Sequence, residues 1–261
     1  MIRHSLLLFT ALLIFSCGKD KEEKVTEETV DTTLKFEDKH YAQKTTLPCT
    51  DRCTNVDISI PIAENTPVVA DSINKKIFGV LRQIIFFGEK PYDAANYEDL
   101  MASFIGSYEE LKKKFPQDEM VPWEAKVKGT VDYKTDSIIN IKLNHYTFTG
   151  GAHGYSGDRS LLFNAKTGRS LAYADIFKDQ NAFKAFAEKK FRAKFKIPVG
   201  KGINSSGLMF ENETFALPQN IFFTKDGLLL YYNAYEIASY AEQQKELLIP
   251  YSEADAYLKM K

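Results

Sequence analysis

Between Asn144 and Gly157 the chain reads Asn-His-Tyr-Thr-Phe-Thr-Gly-Gly-Ala-His-Gly-Tyr-Ser-Gly, placing two of its four histidines among four glycines. An imidazole beside a carboxylate is the pairing of general acid–base catalysis, and His153 has Asp158 and Asp175 downstream as acidic partners. One reading is therefore an envelope hydrolase centred on His153. A serine nucleophile does not fit, because Gly154-Tyr155-Ser156-Gly157 lacks the Gly-x-Ser-x-Gly spacing of a strand-to-helix elbow. Zinc would need two histidines and a carboxylate at matched spacing, and no His-x-x-x-His pair is present, so no metal site is expected. There is no Walker loop, and Gly200-Lys201-Gly202 is followed next by Gly207, which fails the dinucleotide spacing; no cofactor is expected. The other reading is conformational: glycines at this density set a tight backbone crossing, and His153 donates to a backbone carbonyl within it.

A second concentration of chemistry lies in Phe222, Phe223, Tyr231, Tyr232, Tyr235 and Tyr240, which accompany Asn233 and Glu236. Tyrosine combines flat apolar area with a hydroxyl, the combination used for sugar stacking and for protein hot spots. An aromatic core with its hydroxyls bonded to backbone satisfies the same pattern.

The elements that must position these residues follow from periodicity. Val56, Ile58, Ile60 and Ile62 alternate with polar positions, giving a strand in which Pro61 suits an edge or an end. Thr66 and Pro67 open a helix striped with Val69, Ile73, Ile77, Val80 or Leu81, and Ile84. A second helix begins near Asn96, carries Leu100, Met101, Phe104, Ile105, Tyr108, Leu111 and Phe115, and stops at Pro116. Trp123–Tyr133 and Ile138–Phe148 alternate as a hairpin, with a bulge or a change of covering layer expected near Asn144. Residues 159–164 and 169–173 predict a hairpin about Gly168, and Asp179 or Gln180 starts a helix with Phe183, Phe186, Ala187, Phe191 and Phe195 inside. Its Lys184, Lys189, Lys190 and Lys194 read as a solvated face. Residues 197–214 form a long loop, residues 220–224 and 228–232 a hairpin about Gly227, residues 247–251 a last strand, and Ser252 caps a short helix. Hairpins without regular βαβ alternation predict an α+β fold with mainly antiparallel sheets, helices packed on one face and two intimately packed half-domains, 39–155 and 156–261.

The N-terminus supplies an address. Leu6–Phe15 is an apolar run too short to span a membrane, which makes residues 1–16 a signal peptide. Leu13-Ile14-Phe15-Ser16-Cys17 resembles a bacterial lipobox, so Cys17 is the expected lipidation site. Acyl chains, at about 0.8 kcal/mol per buried methylene, would hold the protein on the membrane without a spanning helix. Residues 17–38, charged and poor in apolar side chains near their start, read as a flexible tether. Its Lys-Asp-Lys-Glu-Glu resembles a surface-export signal, although a plain spacer has the same composition. An outer membrane location, facing periplasm or cell surface, permits a disulfide between Cys49 and Cys53, near which no further metal ligands lie. With 34 basic and 35 acidic residues the chain has no cationic excess for nucleic acid.

Tyr146-Thr147-Phe148-Thr149-Gly150-Gly151-Ala152-His153-Gly154, Asn164-Ala165-Lys166-Thr167-Gly168, Asp175-Ile176-Phe177 and Tyr231-Tyr232-Asn233-Ala234-Tyr235-Glu236-Ile237-Ala238 occur in this order. Together they resemble a two-part extracytoplasmic family of unknown activity. It includes the outer domain of the lysozyme-sensing anti-sigma factor V and the non-catalytic region of peptidoglycan deacetylase C. The resemblance spans about residues 40–252, with the deacetylase-like part in the first half and the anti-sigma-like part in the second. It does not extend to sigma binding, because only residues 1–5 precede the apolar run, nor to the deacetylase's metal-binding domain. It implies a non-catalytic, lipid-anchored envelope binding module whose partner is a lysozyme-like protein or a peptidoglycan fragment. The candidate contacts are Tyr146, Gly150, Gly151, His153, Gly154, Tyr155, Tyr231, Tyr232, Tyr235 and Glu236, with an acidic patch including Glu236 aiding the approach of a basic lysozyme.

Overall fold

A computed structural model describes residues 33–117 and 119–261. The signal peptide, Cys17 and most of the charged tether lie outside these residues. Among the described residues no helix is long and apolar enough to cross a membrane.

The fold is α+β and is built on two sheets. The first has five strands in sequence order: β1 (Lys35–Lys44), β2 (Asn55–Glu64), β3 (Glu124–Lys134), β4 (Ile138–Phe148) and β5 (Tyr155–Asn164). All neighbours are antiparallel except β2 and β3, which run parallel over Asn55–Ser59. That one parallel pair needs a long crossover, and helices α1 (Pro67–Ile84) and α2 (Tyr97–Lys114) provide it. The second sheet is a meander of β6 (Asn220–Phe223), β7 (Gly227–Tyr232) and β8 (Lys245–Pro250).

Both crossover helices follow their apolar stripes. Val69, Ile73, Ile77, Leu81 and Ile84 of α1, and Leu100, Met101, Phe104, Ile105 and Tyr108 of α2, are buried. Pro67 sits at the start of α1, where its missing N–H removes no helical bond. Asn96 caps α2 by accepting from the Asp99 N–H at 2.8 Å. Phe115 ends outside the core, 43% exposed. The helices meet Val56, Ile58, Ile60, Ala125, Val127, Ile139, Ile141 and Leu143 of the sheet, with Trp123 closing one end of this core.

Strand β1 escaped the sequence reading: pairing starts at Lys35, four residues before the first half-domain was expected to begin. None of its side chains is fully buried, and Lys35, Glu37, Asp38, His40 and Lys44 are exposed while Phe36 and Tyr41 are half-buried, as suits a charged edge strand. Pro61 lies inside β2 rather than at its end, but two residues beyond the last β3 partner, where no β3 carbonyl requires its missing N–H. The expected bulge near Asn144 is absent. Strand β4 pairs with β5 without interruption from Ile138 to Thr147, and the irregularity falls in β3 between Val131 and Tyr133. Strand β4 is instead covered on both faces: Ile139, Ile141 and Leu143 face the first core, whereas Ile138, on the opposite face, meets a second.

The second core lies between the meander and α4 (Gln180–Lys194). It is aromatic, with Phe183, Phe191, Phe210, Phe215, Phe223 and Tyr232 buried in it. Asp179 caps α4 through the N–H groups of Asn181 and Ala182. Residues 169–173 make one bridge, Phe163 to Ser170, in place of a strand. The Asp175 carboxylate there accepts from the Ala172 N–H and pairs with Arg169, folding the segment into the short helix α3 (Tyr173–Ile176). The short C-terminal helix α5 (Tyr251–Ala254) starts after Pro250, so Ser252 lies inside it instead of capping it.

Three buried asparagines join the second sheet to the first. Asn140 Oδ1 accepts from the Phe223 N–H, Asn220 Oδ1 accepts from the Ser160 N–H, and Asn233 bonds both backbone groups of Asp158. The amides of Asn220 and Asn233 thus do for the edge of β5 what a further strand would do.

Candidate functional site

The β4–β5 connection is the glycine-rich stretch Thr149–Gly154. Gly150 and Gly151 adopt φ of 108° and 89°, values that L side chains rarely accept, and so turn the chain within one hairpin. The sequence-derived crossing is therefore a loop at one end of the five-stranded sheet. At Gly154 the reason for glycine is contact: a Cβ would lie 2.4 Å from Tyr146 Cε2. The ring of Tyr146 is laid directly on the backbone of the loop.

Beside this loop is a cleft of about 550 Å³. Its floor and walls include Trp123, Tyr146, Phe148 and His153, and its rim carries Lys44, Asp51, Arg52 and Glu124. The opposite lip is the loop closed by the Cys49–Cys53 disulfide, which the structure forms. Trp123 is itself wedged against Phe104 and Tyr108 of the first core and the partly exposed Phe87.

His153 is fixed on two sides. Its Nδ1 lies 2.9 Å from the Gly154 carbonyl oxygen, and its ring stacks on Tyr240 at 4.2 Å between centroids and 9° between planes. Tyr240 in turn stacks on Tyr235 at 5.3 Å, and its hydroxyl donates weakly to the Gly154 carbonyl. A row of three rings thus extends from the cleft wall to solvent, where Tyr235 is 57% exposed.

The residues behind this row are committed to holding it. Glu236 Oε1 accepts from the Gln219 N–H at 2.7 Å and Oε2 from the Asn233 N–H at 2.9 Å. Burial raises the Glu236 carboxyl above its usual range, while those two N–H groups pull it back. Asn233, placed by Glu236, clamps Asp158. Glu236 is thus a backbone brace and not part of an open acidic patch. Tyr232 is equally unavailable: it is buried in the second core and donates to the Ala216 carbonyl. Tyr231 belongs to a separate cluster, where Lys142 lies over its ring and over Phe222, and bonds Asp158 at 2.9 Å. Tyr155 is half-buried, 5.8 Å from His145.

Of the expected contacts, then, Tyr146, Gly151, His153 and Gly154 line one cleft, Gly150 shapes its loop, and Tyr235 reaches it through Tyr240. Tyr155, Tyr231, Tyr232 and Glu236 do not line it. The sequence reading missed Lys44, Asp51, Arg52, Trp123, Glu124 and Phe148, whose meeting depends on β2 and β3 being parallel neighbours. The carboxylates proposed to serve His153 are engaged elsewhere, Asp158 with Lys142 and Asn144, and Asp175 with Arg169. Among the described residues no group of three or more His, Cys, Asp or Glu side chains is placed to hold a metal ion.

His145 lies beneath the hairpin, 4% exposed, with Nδ1 lacking a partner. Burial first, then the Arg159 cation, depresses its pKa to about 4, against the attraction of Asp158. Gly157 opposite it leaves room for the ring: a Cβ there would lie 2.9 Å from His145 Cε1.

Residues 48–156 match the family described as Deacetylase PdaC, and residues 174–252 match the one described as Protein of unknown function (DUF3298). The two matches lie one after the other along this chain. The first match ends just beyond the glycine loop and contains most of the cleft, whereas the second contains Tyr235, Glu236 and Tyr240. The row of stacked rings therefore joins the two matched segments. A DUF3298 family member from Bacteroides fragilis is similar in fold, with a TM-score of 0.66 and 22% identity over 86% of this chain and 93% of that one. A DUF3298 family protein from Pseudomonas aeruginosa is similar as well, with a TM-score of 0.60 and 20% identity over 88% of this chain and 96% of that one. No curated protein matches the sequence.

Proposed function

We propose that the protein is a non-catalytic binding module of the bacterial cell envelope, lipid-anchored through Cys17, which takes a peptidoglycan glycan fragment in the cleft beside the Thr149–Gly154 loop. The observation that carries this reading is the cleft itself, a concavity of about 550 Å³ combining Tyr146, Phe148 and His153 with two cationic and two anionic side chains. Aromatic faces stack on the apolar faces of sugar rings, and a few placed polar groups fix orientation. The match of residues 48–156 to a family named for a deacetylase, together with the sequence resemblance to part of a peptidoglycan deacetylase, supplies the ligand class.

A lysozyme-like protein is the weaker partner on this geometry. Capture of a strongly basic protein calls for an acidic surface, whereas Lys44 and Arg52 balance Asp51 and Glu124 at the rim, and Glu236 is bonded to backbone. Hydrolysis through His153 lacks an engaged carboxylate.

Calorimetry of the protein with soluble peptidoglycan fragments, and in parallel with lysozyme, tests the proposal. Saturable binding of the fragments that is lost in His153→Ala/Tyr146→Ala supports it. Binding of lysozyme alone, or release of acetate or new reducing ends from the fragments, refutes it. Palmitate labelling that disappears in Cys17→Ala tests the anchor.

A further inference from the structure

The strongest concentration of charge on the molecule is not at the cleft. Residues 184–201, most of α4 and the loop that leaves it, carry Lys184, Lys189, Lys190, Arg192, Lys194, Lys196 and Lys201 against the single acidic Glu188, in a chain whose other residues have an acidic excess. The apolar stripe Phe183, Ala187 and Phe191 faces the core, so the cationic side of α4 is turned outward. Two of these cations are occupied: Lys190 pairs with Glu253, and Arg192 bonds Glu188 and the Lys201 carbonyl. Lys189 and Lys201 are exposed and belong to no salt bridge among the described residues.

Structure adds what the helix alone lacked. The chain turns back after α4, with Lys196 at φ 54° and Gly200 at φ 77°, and this return leaves a hollow of about 760 Å³ between helix and loop. Lys189, Arg192 and Lys201 line it together with Ala185, Ala193 and Ile197. At the loop tip stands Val199, 104% exposed beside exposed Pro198. An apolar tip beside Lys189 and Lys201 on the rim of one hollow matches the chemistry of an anionic bilayer, whose headgroups attract Lys and Arg while the interface accepts a short apolar insertion.

We propose that this face docks the folded domain onto a membrane surface rich in anionic lipid, with Lys189 and Lys201 against the phosphates and Val199 entering the interface. The surface is distinct from the cleft and does not rest on the glycan reading. It would orient the domain on the membrane independently of any acyl anchor.

The test is partition of the full chain between buffer and vesicles of phosphatidylglycerol mixed with phosphatidylcholine, or of phosphatidylcholine alone. The N-terminal segment carries Arg3 and other charges of its own, so the proposed face is isolated by comparing the chain with Lys189→Glu/Lys201→Glu, which leaves that segment unchanged. Partition should be roughly tenfold stronger on the anionic vesicles, and the excess should vanish at high salt. Lys189→Glu/Lys201→Glu should remove it, a loss of about tenfold, with melting temperature and glycan binding unchanged. Val199→Trp should show a blue-shifted emission on anionic vesicles, over the constant signal of buried Trp123. Equal partition on the two vesicle types, an undiminished excess in the double variant, or an unshifted Val199→Trp spectrum would each overturn the proposal.

Discussion

The His153 imidazole lies flat on the Tyr240 ring, 4.2 Å between centroids and 9° from parallel. The contact ties a turn of the first sheet to the β7–β8 connection of the second, and it fixes one wall of the cleft. An imidazole so stacked, with Nδ1 at a backbone carbonyl, is a positioned surface rather than a mobile acid or base.

Tyr240→Leu should free the His153 ring while leaving both cores intact, since Tyr240 is only partly buried. Affinity for the glycan fragment should fall by about tenfold, the worth of roughly one aromatic pair. The melting temperature should move little. Calorimetry on the variant checks both values, and unchanged affinity would detach the stacked row from binding.

Gly154→Ala tests shape. The added methyl group displaces the Tyr146 ring, whose Cε2, Cζ and hydroxyl would lie within 2.5 Å of it. The ring can rotate away, so the stability loss should be about 1–3 kcal/mol by denaturant titration, whereas binding in the cleft should be abolished.

Asn233→Ala should weaken the junction between the sheets. It leaves the Asp158 N–H and carbonyl without their side-chain partner, at a cost of about 1–3 kcal/mol. It also loosens the segment that carries Tyr235 and Tyr240. Hydrogen exchange should show the protection of the Asp158 amide falling more than that of β2.

Acid should destabilise the fold through His145. Its folded pKa of about 4 lies below the unfolded value, so the unfolded state binds the proton first as pH falls. Stability contributed by the neutral ring is complete above about pH 6.5 and declines between there and pH 4. Between pH 7 and pH 5 the loss should be about 2 kcal/mol in urea titrations, and His145→Phe should flatten the dependence. A His145 resonance titrating near pH 6.5 would contradict this account.

Much of the fold was legible because periodicity and core position coincide. The stripes of α1, α2 and α4, the cap at Asn96 and the alternation of β3 and β4 all appear where burial demands them. Strand β1 was hidden because an edge strand with charged residues in most outward positions resembles a solvated tether. The short α3 was hidden because its cause, Asp175 turning back to Ala172 and Arg169, is a side-chain arrangement and not a period. In the site, the glycine loop and His153 were readable from residue type. The disulfide lip, Arg52 and Trp123 were not, because they reach the loop only through the crossover that sets β2 beside β3. The backbone bonds of Tyr232 and Glu236 were hidden for another reason: a tyrosine hydroxyl or a carboxylate bonded to backbone carries no mark of it in the sequence.

The most direct test is the location of bound glycan. In a titration of the labelled protein with a peptidoglycan disaccharide-peptide, followed by heteronuclear NMR, shifts should concentrate at Tyr146, Phe148, Gly151 and His153, extend to Tyr240, and be lost in Gly154→Ala. Saturable binding that leaves those five residues unshifted, or a full set of shifts surviving in Gly154→Ala, would contradict the account.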